Sequence, residues 1–156
     1  MVRAWVTNSS TTLEAMINPL NAACDNGFIP DRLYLLENPG VTEQVQHALD
    51  LITEITTAYG SEEPEIRLTT LDTETEFNRI STFFADAISE VRDDGGEVAV
   101  DITPGRKFMS AIAFATGMHY EADHVYYFYI SPDHYGQVYP NMPRTAMQLY
   151  DIKEAL

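Results

Sequence analysis

The segment Asp101–Lys107, with the sequence DITPGRK, combines an acid, a hydroxyl, a glycine and two cations. Gly105 lets the backbone approach a ligand closely, and Pro104 fixes the turn before it. If a helix follows, its free N–H groups favour an anion, and Arg106 and Lys107 would add charge-assisted hydrogen bonds to phosphate. These residues predict a phosphate-bearing ligand. They also fit an ordinary turn in which Asp101 caps the helix and both cations are solvated.

The elements around this segment alternate between apolar strands and apolar-periodic helices. Helical spacing of apolar residues follows each of the first four strands, and two of the helices open with predicted capping boxes, Thr11 with Glu14 and Thr73 with Glu76. Pro19 is expected to kink or restart the first helix. The predicted strands cover residues 2–7, 32–37, 65–71, 97–102 and 124–130, and the fourth helix covers 107–118.

Alternating strands and helices predict an α/β fold of the Rossmann-like kind, a parallel sheet with helices on both faces. We expect one domain over residues 1–156, with a core of about 1–131 and an extension over 132–156 that adds a strand or hairpin near 145–152. The common strand order 3-2-1-4-5 makes the first and fourth strands neighbours where the order reverses, and ligands bind at that point.

A second loop therefore joins the candidate site. The run from Asn8 to Thr12 follows the first strand and is rich in hydroxyl groups. In the predicted order it faces the loop of Gly105, and both loops lead into helix N-termini that favour anions. The loop of residues 101–107 matches neither the Walker pattern nor GxGxxG, so phosphate-loop hydrolysis and standard dinucleotide binding lose support.

The helix from Lys107 to Met118 is apolar nearly all round. A helix on the surface of a sheet needs only one apolar stripe, whereas this one also needs a cover on its outer side. We predict that a second copy of the chain supplies this cover across a two-fold axis, which would bring two copies of the 101–107 loop together.

Charge excludes one class of partner. The chain has 24 acidic residues against 9 basic ones, a formal net charge of −15, and only two lysines, Lys107 and Lys153. Such a field argues against binding long DNA or RNA, which needs basic surface. An acidic, lysine-poor surface resembles that of proteins from salt-loving organisms, where screening reduces self-repulsion. An ordinary acidic cytosolic protein is the alternative.

Composition also indicates the cellular compartment of the protein. Cys24 is the only cysteine, so an internal disulfide or a cysteine-rich metal site is not expected. No stretch approaches the length of a membrane span, and the N-terminus lacks the apolar run of a signal peptide. We expect a cytoplasmic protein without membrane contact, cofactor or metal.

Other groups of residues are weaker candidates for a functional site. His119, Glu121, Asp123 and His124 contain metal-ligand types but lack paired helical spacing, so a solvated turn is favoured. Asp133 with Asp151 and Lys153 imitates a magnesium-dependent nuclease pattern in an irregular tail. Tyr135, Tyr139 and Arg144 are candidates for a lid over a pocket.

The stretch from Asp101 to Ser110 resembles the motif of the CRISPR-associated Rossmann-fold (CARF) family. That motif reads Asp, apolar, Thr or Ser, any residue, Gly, any residue, Lys or Arg, any residue, Met. The family comprises homodimeric sensors of cyclic oligoadenylates, the second messengers of type III CRISPR defence, and some members cleave the ring as ring nucleases. The βαβ order extends the likeness over roughly residues 1–131.

The resemblance implies a ligand pocket with two walls. One wall comprises Thr103, Gly105, Arg106 and Lys107, together with Pro104 at a position where the family tolerates many residues; the other comprises Asn8, Ser9, Ser10 and Thr11. If the ring is cleaved, a ribose 2′-hydroxyl attacks its adjacent phosphate, and no metal is required. Lys107 would stabilise the phosphate charge, and Ser9, Ser10 or Thr103 would orient the phosphate.

The resemblance also raises the question of an effector. Most family members fuse the sensor to an effector domain, whereas this sequence leaves no room for one and has no Arg-x4-His ribonuclease motif. We therefore expect a standalone sensor, either a ring nuclease or a signal-binding subunit. The rival classes are a Rossmann-type enzyme acting on an ordinary nucleotide or phosphometabolite, and a non-enzymatic interaction subunit.

Overall fold

The computed structural model describes all 156 residues and alternates strands with helices along most of the chain. In chain order the elements are β1 (Arg3–Asn8), α1 (Leu13–Asp25), β2 (Arg32–Glu37), α2 (Thr42–Ala58), β3 (Glu65–Thr70), α3 (Phe77–Asp93), β4 (Glu97–Asp101), α4 (Lys107–His119), β5 (His124–Ile130), β6 (Met147–Asp151) and the short α5 (Ile152–Ala155). Two 3₁₀ turns, Pro132–His134 and Arg144–Ala146, lie between β5 and β6.

The strands form one sheet in the order β3-β2-β1-β4-β5-β6. The first five strands are parallel, and β6 pairs antiparallel with β5, with Tyr127 opposite Tyr150. The predicted Rossmann-like α/β fold is confirmed, including the strand order and the added strand at the C-terminal end.

Alternation along the strands builds two cores, one on each face of the sheet. In β1, Trp5 packs on the face covered by α1 and α2, whereas Ala4 and Val6 pack on the face covered by α3 and α4. Leu33 and Tyr34 divide between the two faces in the same way. Successive side chains of a strand point to opposite faces, so the middle residues of a central strand buried on both faces are apolar on both sides.

Two helices begin differently from the prediction. The capping box of Thr11 and Glu14 is wrong: Thr12 occupies the N-cap and makes no side-chain cap, and the Ser10 hydroxyl instead accepts a hydrogen bond from Thr12 N. Glu76 does accept from Thr73 N at 3.0 Å, as in a capping box, but α3 begins one residue after Glu76. In both helices, hydrogen bonds within the preceding loop accompany the shifted start.

The first helix also holds the C-terminal extension in place. α1 continues through Pro19 without restarting, because the proline removes one backbone donor while the buried face around it stays packed. The side chain of Asn18 donates to the carbonyl of Gln137 and accepts from Tyr139 N, each at 2.9 Å. The extension therefore lies against α1. None of the helices has the length and apolar character needed to cross a membrane.

Candidate ligand-binding site

The carboxyl ends of β2, β1 and β4 meet at the point where the strand order reverses. β1 lies between the other two strands, with Asn8 opposite Leu36 and Thr7 opposite Asp101. Helices α1 and α2 cover one face of the sheet and α3 and α4 the other, which leaves a crevice between the loops at these strand ends. This crevice is the candidate site.

Asp101, at the end of β4, holds the β4–α4 loop through hydrogen bonds. Its carboxylate accepts a hydrogen bond from Thr103 N at 2.9 Å and one from the Thr7 hydroxyl at 3.1 Å. Complete burial raises the pKa of Asp101 to about 7, although both hydrogen bonds favour the charged form. Asp101 therefore links β1 to the turn and does not cap α4, whose N-cap is Arg106.

Gly105 and Asn8 pack directly against each other. Gly105 has a φ of +98°, and a Cβ placed on it would lie 3.2 Å from Asn8 Cβ, so only glycine fits here without strain. Asn8 is fully buried, yet neither end of its side-chain amide has a hydrogen-bond partner. An unpartnered buried polar group costs about 1–3 kcal/mol, so the burial of this amide without a partner requires an explanation.

Ser9 and Ser10 differ in exposure and bonding. Ser9 is fully buried, and its hydroxyl oxygen accepts a hydrogen bond from Asn38 N at 2.9 Å, which leaves its own proton free to donate. The Ser10 hydroxyl is 3.1 Å from the Thr12 hydroxyl. Both serines line the crevice.

The crevice contains a polar cavity of about 340 Å³. Its lining comprises Ser9, Ser10, Thr11, Asn38, Pro39, Gly40, Val41, Glu74, Gly105 and Arg106. Neither Asn38 with its loop nor Glu74 was among the site residues expected from the sequence. The predicted strand order could have identified the first of these, because Asn38 follows the strand beside β1 and parallel strands end at the same edge.

The two cations of the loop have different surroundings. Arg106 is paired with Glu74, with 2.6 Å between Nε and Oε2. Lys107 is exposed at the first position of α4 and lines no wall of the polar cavity. The loop thus presents one neutralised cation inside the cavity and one cation beside it.

Thr103 and Pro104 do not line the polar cavity. The Thr103 hydroxyl accepts a hydrogen bond from Phe128 N at 2.9 Å and faces a second, more apolar cavity of about 440 Å³ between α1, β5 and the extension. Pro104 is buried. Tyr135 lines the second cavity, whereas Tyr139 and Arg144 line a third one beside β6, so these three residues do not form one lid.

Residues of the competing metal and nuclease patterns form hydrogen bonds away from the polar cavity. His124 faces Asp151 through Nδ1 at 2.9 Å and Glu97 through Nε2 at 3.0 Å, so its two nitrogens serve different carboxylates. Asp123 accepts from the backbone of β4. Lys153 donates to the carbonyl of Ala122. These contacts join β4, β5 and the C-terminal segment.

The outer face of α4 is apolar and partly open to solvent. Only four of its residues are buried, Met109, Ala113, Thr116 and Gly117. Ala111 and Ala115 are exposed, and Phe108 and Ile112 are half-buried at the same helical spacing. Phe77 of α3, half exposed, packs edge-on against Phe108 with ring centres 5.2 Å apart.

Comparison with known sequences yields one family. The sequence model described as CRISPR-associated protein NE0113 matches residues 20–155. No curated protein sequence matches the chain.

Solved structures with the same fold provide three further comparisons. Csm6 of Enterococcus italicus, bound to cyclic hexa-2′-fluoro-hexa-dAMP, is 20% identical with a TM-score of 0.61 over 88% of this chain. Can2 of Sulfobacillus thermosulfidooxidans, in complex with cyclic tetra-adenylate, is 18% identical with a TM-score of 0.58 over 80%. A type III CRISPR defence DNA nuclease activated by cyclic oligoadenylate is 15% identical with a TM-score of 0.56 over 80%.

These likenesses establish the common fold. The chain spans 35%, 30% and 18% of the three neighbours' own lengths, respectively. It therefore corresponds to one part of each neighbour.

Proposed function

The chain belongs to the CRISPR-associated NE0113 family, and from this membership we propose that it binds a cyclic oligoadenylate across the two-fold axis of a homodimer. Family and fold together confirm the resemblance to CRISPR-associated Rossmann-fold proteins that the stretch from Asp101 to Ser110 indicates. The three structural neighbours are bound to, or activated by, such rings or an analogue, and this supports the class of ligand.

One observation carries the proposal: the fully buried amide of Asn8 has no hydrogen-bond partner and packs directly behind Gly105, which lines the polar cavity although Asn8 itself does not. A strand end normally satisfies its buried polar groups within the chain. Here Asn8, the free proton of Ser9 and the nearby cation of Lys107 offer hydrogen bonds and charge to a phosphodiester.

The size of the cavity supports a two-fold arrangement. A volume of about 340 Å³ is at the lower end of the range for small-molecule sites. A ring of several nucleotides is larger than one such cavity, so two symmetry-related cavities would each hold part of it. The apolar outer face of α4, with Phe108, Ile112 and Ala115, is the surface we assign to the dimer contact.

We further propose that the dimer cleaves the ring without a metal. The ribose 2′-oxygen attacks the adjacent phosphorus, the bond from phosphorus to the 5′-oxygen breaks, and the 2′-proton passes to the leaving 5′-oxygen. The products are linear, with a 2′,3′-cyclic phosphate at one end and a 5′-hydroxyl at the other. Lys107 stabilises the phosphate charge, while Ser9 and Ser10 orient the phosphate.

Calorimetric titration with cyclic tetra-adenylate tests binding. We expect one ring per two chains and no comparable affinity for adenosine monophosphate. Binding of the mononucleotide at one per chain, without binding of the ring, would instead support an ordinary nucleotide enzyme.

Incubation of labelled ring with the protein in excess EDTA, followed by chromatography, tests cleavage. We expect slow conversion to linear products, because a site without a proton-transfer pair lacks the roughly 10²–10⁴-fold contribution of such groups. An intact ring after many hours, despite measured binding, would leave the protein as a sensor. Activity that EDTA abolishes would point to a metal-dependent reaction.

A further inference from the structure

The wall of the polar cavity formed by the β2–α2 loop contains a second unusual amide. Asn38 follows directly after β2 and is 8% exposed. Its backbone N–H donates to the Ser9 hydroxyl at 2.9 Å, which joins this loop to the β1–α1 loop. Its side-chain oxygen Oδ1 is buried and has no hydrogen-bond partner.

The other end of this amide fixes its orientation. Asn38 Nδ2 donates to the thioether sulfur of Met109 at 3.3 Å, and Met109 is fully buried on the first turn of α4. A thioether can accept a hydrogen bond but cannot donate one, so the nitrogen must face the sulfur. The remaining atom, Oδ1, is therefore an acceptor in a fixed position without a hydrogen-bond donor.

The side-chain amide of Asn8 also lacks hydrogen-bond partners. Asn8 leaves both Oδ1 and Nδ2 unpartnered, and it packs against Gly105, which lines the cavity together with Asn38. The two asparagines thus leave two acceptor oxygens and one donor nitrogen without partners. Phosphate oxygens at neutral pH accept hydrogen bonds and donate none, so phosphate alone can satisfy only the donor.

We infer that Asn38 is a specificity-determining residue whose side-chain oxygen accepts a hydrogen bond from a donor group of the bound nucleotide. This inference rests on the proposed function and adds to it a requirement on the ligand. A nucleotide of an adenylate ring offers two suitable donors, the ribose 2′-hydroxyl and the 6-amino group of adenine. Their shared chemistry is a neutral hydrogen-bond donor on the nucleoside part of the nucleotide.

Chemically altered rings identify the donor without changing the protein. The affinity of the unmodified chain is measured for cyclic tetra-adenylate, for the same ring with 2′-deoxyribose, and for the same ring with purine in place of adenine. We expect a loss of about tenfold to a hundredfold for one altered ring, because the acceptor oxygen then stays buried without a partner. Loss with the deoxy ring identifies the hydroxyl, and loss with the purine ring identifies the amino group.

The variant Asn38→Leu assigns that loss to this residue. We expect it to bind cyclic tetra-adenylate about as weakly as the unmodified protein binds the sensitive altered ring. We also expect it to discriminate little between those two rings. Asn78→Leu, on the exposed surface of α3, is the matched control and should keep full discrimination.

Two outcomes overturn the inference while the proposed function stands. Equal affinity of the unmodified protein for all three rings would show that no ligand donor reaches Asn38, and this result stands even where Asn38→Leu fails to fold. Discrimination that persists in a folded Asn38→Leu variant would assign it to another residue and leave Asn38 a structural role. If the unmodified ring itself does not bind, the proposed function fails as well.

Discussion

Glu74 and Arg106 form an ion pair between the β3–α3 loop and the β4–α4 loop, with 2.6 Å between Oε2 and Nε. Both residues line the polar cavity, so the guanidinium group that the sequence assigns to a phosphate is already bound to a carboxylate. Glu74 also brings negative charge into a cavity proposed to hold an anion. A phosphodiester would therefore compete with Glu74 for Arg106.

The first prediction concerns this competition. Replacing Glu74 with Gln should strengthen the binding of cyclic tetra-adenylate about twofold to fivefold, because an exposed ion pair of this kind is weak and its loss frees Arg106. Calorimetric titration at constant salt measures the change. Asp72→Asn, which removes the same charge from an exposed position in the same loop, is the control and should have a smaller effect. Weaker binding by Glu74→Gln would show that Glu74 itself holds the ligand.

The second prediction separates ligand binding from folding at Lys107. This side chain is exposed and lies at the positive end of the α4 dipole, where a cation is unfavourable unless an anion is near. Lys107→Ala should leave the melting temperature nearly unchanged and weaken ring affinity at least about tenfold.

Lys153, the other lysine, provides the control for this measurement. Its Nζ donates to the carbonyl of Ala122 at 2.5 Å, so Lys153→Ala should lower the melting temperature and spare ring affinity. Unchanged affinity in Lys107→Ala would remove Lys107 from the site.

The third prediction tests the dimer through an exposed position. Ala115→Glu places a charge on the outer face of α4 and should yield a monomer of unchanged fold, because burying an unpaired charge in a contact is costly. Gln46→Glu on α2 adds the same charge away from this face. Light scattering in high salt, where screening reduces repulsion between acidic chains, measures the mass. A monomer of 17.6 kDa for the unmodified protein would contradict the two-fold model.

The fourth prediction is a pH dependence of stability caused by Asp101. The pKa of this carboxyl is about 7 in the fold and about 3.9 in an unfolded chain. Between these values the folded state binds more protons, so the contribution of Asp101 to stability is full below about pH 4 and is lost as pH rises through about 7. Asp101→Asn should remove this dependence.

Denaturant melts at about pH 4.5 and about pH 8, in matched salt, compare the two proteins within that window. The free energy of unfolding of the variant, relative to the unmodified protein, should rise between the two pH values. A constant difference between them would show that Asp101 stays ionised throughout.

Local pattern was enough to predict the sheet. The central strands are buried on both faces, so Trp5 and the residues on either side of it are apolar, and helical spacing between the strands implied parallel pairing. The first cap was harder to predict. Ser10, Thr11 and Thr12 all carry hydroxyl groups, and only the course of the loop selects which of them ends up at the N-cap.

The Rossmann-like order, the glycine turn at Gly105 and the apolar surface of α4 were predictable from the amino-acid sequence, because each depends on residue type and short-range spacing. The ion pair of Glu74 with Arg106, the separate cavity faced by Thr103 and the place of Asn38 in the site emerged only from the folded chain. These contacts connect segments that are 25 or more residues apart in the chain. The geometry of these contacts depends on how the strand ends meet, and a local pattern of residues does not encode the distances between side chains of different loops.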